Sequence, residues 1–473
     1  MVARLRTSPV PLPLIALAAA AAVLVGGVSG VKPVYGVAVA FGLVFVLVVV
    51  GDLMLGVYAM VLFSFLETLS QFGGLSVAKV VGLVLAVSWL AVIGSGRRDI
   101  RNILTERPGL TYLLILFLGW TAASLIWAPV QGDAVTSVTR YALNAILIPI
   151  IYTALRDRRD ATRLLAVVVG GAAVAAVSGI ISAPGAAADA TRATGTVGDA
   201  NELAAALVIG MAVAGAFAVN RHVAAPWRLL SLLAAGLCLL GILLSLSRGG
   251  LLGLAAAVVV AIFVAGRWRP QVMAGATAVV VMAVGYFALF ASLPAKERVT
   301  NVGGGTGRVD LWTVGWRMVQ DHPVRGVGTG QFQTSSVHYL LQPGAIQRGD
   351  FILSQPKVAH NTYLNILSEL GVIGAGLFGA VLLFSLGCLM LAARRLRADG
   401  DEGLEILVRG LLAGVGGYLV TLLFISENYS KLFWVVLALG PALLAVARLP
   451  RPDPPAPEDA ARPAGEPRLA VPA

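Results

Sequence analysis

The chain has 473 residues, of which 58% are hydrophobic and 12% are charged. This charged fraction is far below the roughly 25% of soluble domains, and with a mean hydropathy of +0.87 it excludes an ordinary water-soluble protein. The net charge of +11 does not indicate nucleic acid binding, because the basic residues fall between apolar runs, where they set the orientation of a membrane protein. The two cysteines, Cys238 and Cys388, both lie in apolar runs and provide neither a disulfide framework nor a metal cluster.

Apolar runs of about 18 residues or more recur along the chain, and each is long enough to cross a hydrocarbon core. They are continuous and do not alternate, which predicts helices and not a barrel. The first run follows Arg4 and Arg6, and we interpret it as an uncleaved helix because many further spans follow it. The predicted fold is an all-α bundle of about 12–14 transmembrane helices. The predicted spans are 11–29, 34–50, 52–68, 76–95, 110–127, 136–154, 162–182, 201–219, 229–246, 250–266, 271–291, 363–393, 406–425 and 431–448.

The distribution of Lys and Arg predicts the orientation, since cytoplasmic loops are enriched in both. With the N-terminus inside, the inner segments carry 22 basic residues and the short outer segments carry 6. We therefore predict a multi-pass protein of the cytoplasmic (inner) membrane with both termini cytoplasmic. Residues 1–291 form the first helices, 292–362 a large extracytoplasmic loop between the eleventh and twelfth spans, and 363–449 the last helices. Residues 450–473 are rich in Pro and Ala, which predicts a disordered cytoplasmic tail.

Two polar segments lie at predicted outer ends of spans. Thr191 to Glu202 leads into the eighth span, where Asp199 or Asn201 would cap the helix; alternatively the helix N-terminus, reinforced by Arg192, binds an anion. Ser245 to Gly250 places Arg248 between two apolar stretches. An arginine there is costly unless it reaches water, a counter-charge or a ligand, and the alternative is an arginine that snorkels to the interface.

The long loop holds the third polar region. From Val309 to Gln320 apolar residues recur at helical spacing, which predicts an amphipathic helix at the membrane surface. The glycine-rich stretches at 303–307 and 326–330 lack the strand-to-helix context of a phosphate-binding loop. His360 stands where the loop meets the twelfth span, and histidine is the side chain best suited to exchange a proton near neutral pH. The alternative for an interfacial histidine is an ordinary hydrogen-bonding role.

The remaining histidines and acids are weaker candidates. His222 is predicted to be cytoplasmic, and His322 and His338 have no flanking constellation. The only Asp-x-Asp sequence, Asp399-Gly400-Asp401, falls on the predicted cytoplasmic side and is interpreted as a solvated charge run. Outer acids are dispersed, without the paired carboxylates typical of a hard-cation site. We predict no catalytic metal and no cofactor.

The polar segments together resemble those of the O-antigen ligase and polymerase superfamily. The order and spacing that carry this resemblance are those of Gly195 to Asn201, Ser247-Arg248-Gly249, Gly307-Arg308 to Leu311-Trp312, His322-Pro323 to Gly330, and His360-Asn361 to Tyr363. The resemblance implies a GT-C-like bundle and a metal-independent, inverting glycosyltransferase of cell-envelope polysaccharide biosynthesis. Its donor would be a glycan on a polyprenyl diphosphate such as undecaprenyl diphosphate. Its acceptor would be a glycan, lipid or envelope component at the outer face of the membrane.

The residues suit that chemistry. Arginine binds phosphate oxygens bidentately without losing its charge, so Arg248 and Arg308 are the predicted diphosphate ligands. His360 is the predicted catalytic base. Other predicted substrate-binding residues are Arg192, Arg325, Asn201, Asn361 and Tyr363. A ligase is slightly preferred over a polymerase of lipid-linked repeat units. A transporter or flippase of the lipid-linked glycan is the alternative from another class, but it predicts ionisable residues at mid-span, and here these residues lie near span ends.

Overall fold

A computed structural model describes residues 51–67, 71–72, 75–95, 100–183, 192–300, 307–342 and 357–450, together with scattered positions between 21 and 49. The first two predicted spans therefore lie largely outside the described residues, and so does the predicted tail beyond residue 450. From residue 51 onward the helices are α1 (Leu53–Phe63), α2 (Val77–Gly94), α3 (Ile103–Glu106), α4 (Pro108–Ala123), α5 (Gln131–Ala145), α6 (Leu147–Ala154), α7 (Arg158–Ser182), α8 (Ala200–Val219), α9 (Ala225–Leu244), α10 (Arg248–Val264), α11 (Arg269–Gly285), α12 (Leu293–Thr300), α13 (Arg308–Asp321), α14 (Phe332–Leu340), α15 (Thr362–Ala398), α16 (Glu402–Thr421) and α17 (Lys431–Ala447).

The described part of the chain confirms the predicted polytopic all-α fold. Nine helical segments within it are long and apolar enough to cross a membrane, and α1, α10 and α17 are shorter apolar helices. Short 3₁₀ or π-helical segments extend α4 to Ile126 and α11 to Phe290. The described β-structure is one antiparallel hairpin of two-residue strands, β1 (Gln71–Phe72) and β2 (Leu75–Ser76). It is too short to form a layer of the fold.

Small residues allow the central helices to pack closely, as is common where helices associate in a membrane. Helix α16 packs against both α8 and α10. A side chain at Gly253 would overlap Thr421, and one at Gly250 would overlap Ala204. This close packing fixes the start of α10 beside the start of α8 and the end of α16.

One end of the bundle, here called the loop end, collects the segments that were predicted to carry chemistry. The backbone N–H of Ala193 donates to Leu244 at 3.2 Å, and that of Thr362 donates to Leu422 at 2.9 Å. These bonds join the segment before α8 to the end of α9, and the start of α15 to the end of α16. The segment 307–342 joins this end through α13, which packs on α15. The other end of the bundle is called the opposite end.

The described part of the predicted loop has a small hydrophobic core of its own. The predicted amphipathic helix is present as α13, and its buried face, Leu311, Val314 and Met318, packs with Phe332 of α14. The predicted span 363–393 is not one uninterrupted helix, because Gly371 has φ 64° and ψ −170°. That left-handed conformation is available to glycine at little cost. The first nine residues of α15 therefore belong to the loop end, and the long span follows the kink.

Candidate active site

The segment before α8 is joined to the start of α10 by a partly buried polar network. The Arg192 guanidinium donates to the Ser245 carbonyl at 2.9 Å and to Oδ1 of Asn201 at 2.7 Å. The Ser247 hydroxyl donates to the same Asn201 oxygen at 2.9 Å. Asp199 is the N-cap of α8, and its carboxylate accepts the backbone N–H of Asn201 at 2.7 Å. Two predicted site residues, Arg192 and Asn201, thus lie together, and the cap interpretation of Asp199 is confirmed.

Arg248 is the first residue of α10, directly after the helix cap. The Ser247 side chain accepts the N–H of Gly250 at 3.1 Å, which fixes the direction in which the helix begins. A side chain at Gly249 would come within 2.9 Å of the Phe424 side chain. The glycines after Arg248 are therefore required for packing, and this packing holds the arginine at the loop end.

Arg308 occupies the equivalent first position of α13, where Gly307 supplies the left-handed N-cap with φ 71°. Burial lowers the pKa of Arg308, and the nearby guanidinium of Arg248 lowers it further, while the carboxylate of Asp199 raises it and Arg298 again lowers it. Arg248 thus disfavours the charge on Arg308, which is the effect of one cation held close to another. The structure therefore brings Arg248 and Arg308 together.

Arg192 belongs to the same group. Its pKa is lowered to about 10 by burial first, then by Arg298; Asp199 opposes this shift and Arg308 adds to it. We call Arg192, Arg248, Arg298 and Arg308 the arginine cluster. Arginine remains protonated at neutral pH even with such a shift, so the cluster keeps its positive charge for an anion.

His360 lies next to the arginine cluster in a strained backbone conformation. Its φ is 47°, a left-handed value that costs free energy in a residue other than glycine. Burial lowers the pKa of His360; Arg308 lowers it further, Asp199 raises it and Lys357 lowers it. A histidine whose pKa is lowered is neutral at neutral pH and can accept a proton.

Asn361 and Tyr363 have structural partners at the start of α15. The Asn361 side chain caps the helix by accepting the N–H of Leu364 at 3.1 Å. The Tyr363 hydroxyl donates to the Leu419 carbonyl at 2.8 Å, which joins α15 to α16. These contacts orient the backbone around His360. A direct contact of either side chain with substrate stays a prediction.

Arg325 is separated from the arginine cluster. It follows the C-terminal end of α13, whereas Arg308 begins that helix, and 14 helical residues span about 20 Å. The Arg325 guanidinium lies over the ring of Trp127, 5.9 Å from its centroid. His322 and His338 line the same cavity as Arg325 and Trp127. The structure therefore groups Arg325 with two histidines that have no flanking constellation in the sequence.

Several polar groups at the site carry no recognisable motif. Arg298 on α12 belongs to the cluster, although the sequence around it, Lys296-Glu297-Arg298, resembles any surface segment. Glu427 is buried between α16 and α17, and burial raises its pKa to about 7, with the nearby carboxylates of Glu67 and Asp199 adding to the rise. The polar run Ser426 to Ser430 between two apolar spans was the signal that could have identified Glu427.

Metal-binding groups of three or more His, Cys, Asp or Glu side chains are absent from the part of the chain that the structure describes. The Asp399-Gly400-Asp401 sequence lies at the opposite end. Its interpretation as a solvated charge run is wrong for Asp401, whose carboxylate caps α16 and pairs with Arg158 at 2.8 Å. That pair is largely buried, because two helix ends and the end of α17 meet there.

Comparison with known families agrees with this geometry. A family model described as O-antigen ligase matches residues 233–379. The matched segment contains Arg248, Arg308 and His360, whereas Arg192 precedes it. No curated protein matches the chain. At a general level the match supports a membrane-embedded transferase of lipid-linked glycans. The match thereby confirms, over residues 233–379, the resemblance to the O-antigen ligase and polymerase superfamily that was seen in the sequence.

Proposed function

We propose that the protein transfers a glycan from a polyprenyl diphosphate to an acceptor at the outer face of the cytoplasmic membrane, with inversion of configuration and with ligase activity slightly preferred over polymerase activity. The observation that carries the proposal is the position of His360 beside the arginine cluster. A proton acceptor and a concentrated positive charge thus lie at one end of a membrane-embedded bundle.

The arginine cluster suits a lipid diphosphate. The leaving group gains negative charge as its bond to the sugar breaks, and preorganised cations stabilise such charge strongly in a site that excludes water. Arg248 and Arg308 each begin a helix, α10 and α13. Helix N-termini also favour anions. Both the guanidinium groups and the helix ends therefore act on the same diphosphate.

His360 supplies the second half of the reaction. Its neutral imidazole accepts the proton of an acceptor hydroxyl while that oxygen forms a bond to the anomeric carbon. The bond from this carbon to the diphosphate oxygen breaks, and the electron pair leaves with the lipid diphosphate. Attack from the face opposite the leaving group inverts the configuration. The proton then passes from the imidazolium to solvent, which restores the base.

The arginines also replace the charge that a divalent cation supplies to other diphosphate-dependent enzymes. We therefore expect transfer to continue at an unchanged rate in the presence of excess EDTA. The measurement is product formation in EDTA-treated proteoliposomes, with and without added Mg²⁺ or Mn²⁺. A rate that collapses with EDTA and returns with one of these cations would disprove the metal-independent mechanism.

The proposed reaction is tested by reconstituting the protein in liposomes with a polyprenyl-diphosphate glycan and candidate acceptors. We expect a glycosylated acceptor and released lipid diphosphate in equal amounts. A lipid-linked glycan as acceptor tests polymerase activity, and a terminal acceptor without a diphosphate tests ligase activity. The variants His360→Ala and Arg248→Ala should lose transfer, whereas His222→Ala, at the exposed opposite end, should retain it. Undiminished transfer by the first two variants would refute the mechanism.

A further inference from the structure

A second polar cavity at the loop end is separate from the arginine cluster. It has a volume of about 450 Å³ and lies between the segment that follows α4 and the segment from the end of α13 to α14. Its walls include His322, Arg325, Thr334 and His338. The length of α13 places the wall formed by His322 about 20 Å from Arg308. This distal cavity is therefore too far away to hold the group that reacts at His360.

The distal cavity is preformed. The Gln331 side chain accepts the N–H of Val130 at 3.0 Å and donates to the Val130 carbonyl at 3.0 Å, which joins the two walls. The buried Glu369 carboxylate accepts the backbone N–H groups of Gly330 and Phe332, at 2.9 and 3.1 Å. These bonds hold the turn before α14 in one conformation. A ligand that enters meets walls already in place, which reduces the entropic cost of binding.

The chemistry of the walls suits a saccharide. Arg325 donates hydrogen bonds, the Thr334 and Ser335 hydroxyls donate and accept them, and His322 and His338 offer ring nitrogens for further hydrogen bonds. Pro129, Val130 and Val327 supply apolar surface for the C–H faces of a sugar ring. The volume lies within the roughly 300–1,000 Å³ of small-molecule sites.

An anionic headgroup fits the cavity less well than a sugar does. Thr334 hydrogen-bonds the Asp133 carboxylate at 3.4 Å, so an acid stands at the rim beside the basic groups. Arg325 is also engaged by the ring of Trp127. A cavity with both hydrogen-bond donors and hydrogen-bond acceptors suits sugar hydroxyl groups, because a hydroxyl can donate and accept.

We propose that the distal cavity binds saccharide units of a glycan that lie several sugars away from the reacting anomeric carbon. The inference rests on the proposed function, and it assigns the cavity to glycan recognition. The glycan can come from the donor or from the acceptor, since both reach the same end of the bundle. A glycan long enough to reach the distal cavity should therefore bind more tightly than a truncated one.

The test compares long and short substrates. The donor lipid is used intact or trimmed to its first sugar, and the acceptor is likewise used with and without its outer sugars. We expect Ser335→Trp, which fills the cavity, and His338→Ala, which removes a polar wall, to raise KM about tenfold for the long substrate. The same variants should not change KM for the trimmed one. The long substrate that shows the effect identifies the source of the glycan.

Gln333→Ala is the matched control, because Gln333 is exposed on the same helix and does not line the cavity. Equal KM values for long and trimmed substrates in the cavity variants would overturn the proposal. An effect that follows the fraction of anionic lipid in the liposomes would also overturn it, because the cavity would then hold a headgroup.

A measurement of binding separates this proposal from the proposed function. The free oligosaccharide cleaved from the donor is titrated against the full-length protein and followed by saturation-transfer NMR. Binding should persist in His360→Asn and disappear in Ser335→Trp. Binding without any transfer would leave the cavity assignment intact while refuting the proposed reaction. Loss of binding in His360→Asn alone would place the saccharide at the arginine cluster and overturn the assignment.

Discussion

Arginines gather at both ends of the helix bundle, but their electrostatic partners differ. At the opposite end Arg158 pairs with Asp401 at 2.8 Å, and both side chains are less than a fifth exposed. At the loop end the groups that shift the pKa of Arg308 are two further arginines and one carboxylate, Asp199. The same residue type is thus matched by a carboxylate at one end and crowded by other cations at the other.

This difference indicates which arginines hold the fold together and which serve a ligand. Arg267 and Arg409 at the opposite end both pair with Glu405, which joins the start of α11 to α16. Pairs of this kind leave little net charge. Among the groups that shift the pKa values of Arg192 and Arg308, cations outnumber carboxylates. Repulsion between these cations lowers the stability of the folded protein, and an anionic ligand offsets this loss when it binds.

The strongest test of the catalytic role of the loop end is to remove His360 without disturbing the surrounding structure. Asparagine tolerates left-handed backbone better than alanine does, so His360→Asn keeps the φ of 47° at low cost. We expect kcat to fall by about 10²–10⁴-fold, the usual contribution of a general base, with an unchanged melting temperature. His222→Asn, at the exposed opposite end, is the matched control. Equal turnover by the two variants would remove His360 from the mechanism.

Replacing arginine by lysine at both ends tests whether the guanidinium fork matters. Lysine keeps the charge but loses the planar pair of donors that fits a diphosphate. We expect Arg308→Lys and Arg248→Lys to reduce kcat by about a hundredfold, similar to the loss of one preorganised donor. Arg409→Lys at the opposite end should retain transfer. The comparison fails if the lysine variants at the two ends behave alike in initial-rate assays.

The pH dependence of transfer tests whether the Asp199 carboxylate raises the pKa of His360. Activity requires neutral His360, so it falls as the pH drops through the pKa of this residue. Burial and Arg308 lower that pKa, which places the acid limb below the usual value of about 6.5. Asp199→Asn keeps the helix cap and removes the carboxylate that raises the pKa. We expect the acid limb to move to still lower pH in a kcat/KM profile, and a shift to higher pH would contradict this electrostatic account.

Local patterns in the sequence were enough to predict the transmembrane helices and the amphipathic helix α13, since continuous hydropathy and periodicity report local structure directly. The grouping of Arg248, Arg308 and His360 followed from motif order. Arg298 could not be predicted, because its membership depends on contacts far along the chain. Arg325 was predicted as a further substrate-binding residue, and the predicted helix between it and Arg308 already implied a separation of about 20 Å.

The left-handed kink at Gly371 could not be predicted from the sequence either. The backbone N–H of the next residue, Val372, donates to the Pro323 carbonyl at 2.9 Å, so the kink depends on a partner from the loop. An isolated glycine in an apolar run indicates nothing more than a tolerated helix position. The boundary between the loop and the long span of α15 is therefore a tertiary feature.

The smallest expected effect on transfer comes from the opposite end. Arg158 donates to Asp401 at 2.8 Å, and to the carbonyls of Pro450 and Leu449 at 3.0 and 3.1 Å, so it joins three helix ends. We expect Arg158→Gln to lower the free energy of unfolding by about 1–3 kcal/mol and to leave kcat unchanged below the melting temperature. Thermal unfolding in detergent measures the first effect, and a double-mutant cycle with Asp401→Asn assigns it to the pair. A loss of transfer at full stability would show that the ends of the bundle are coupled, and the division between structural and substrate-binding arginines would no longer hold.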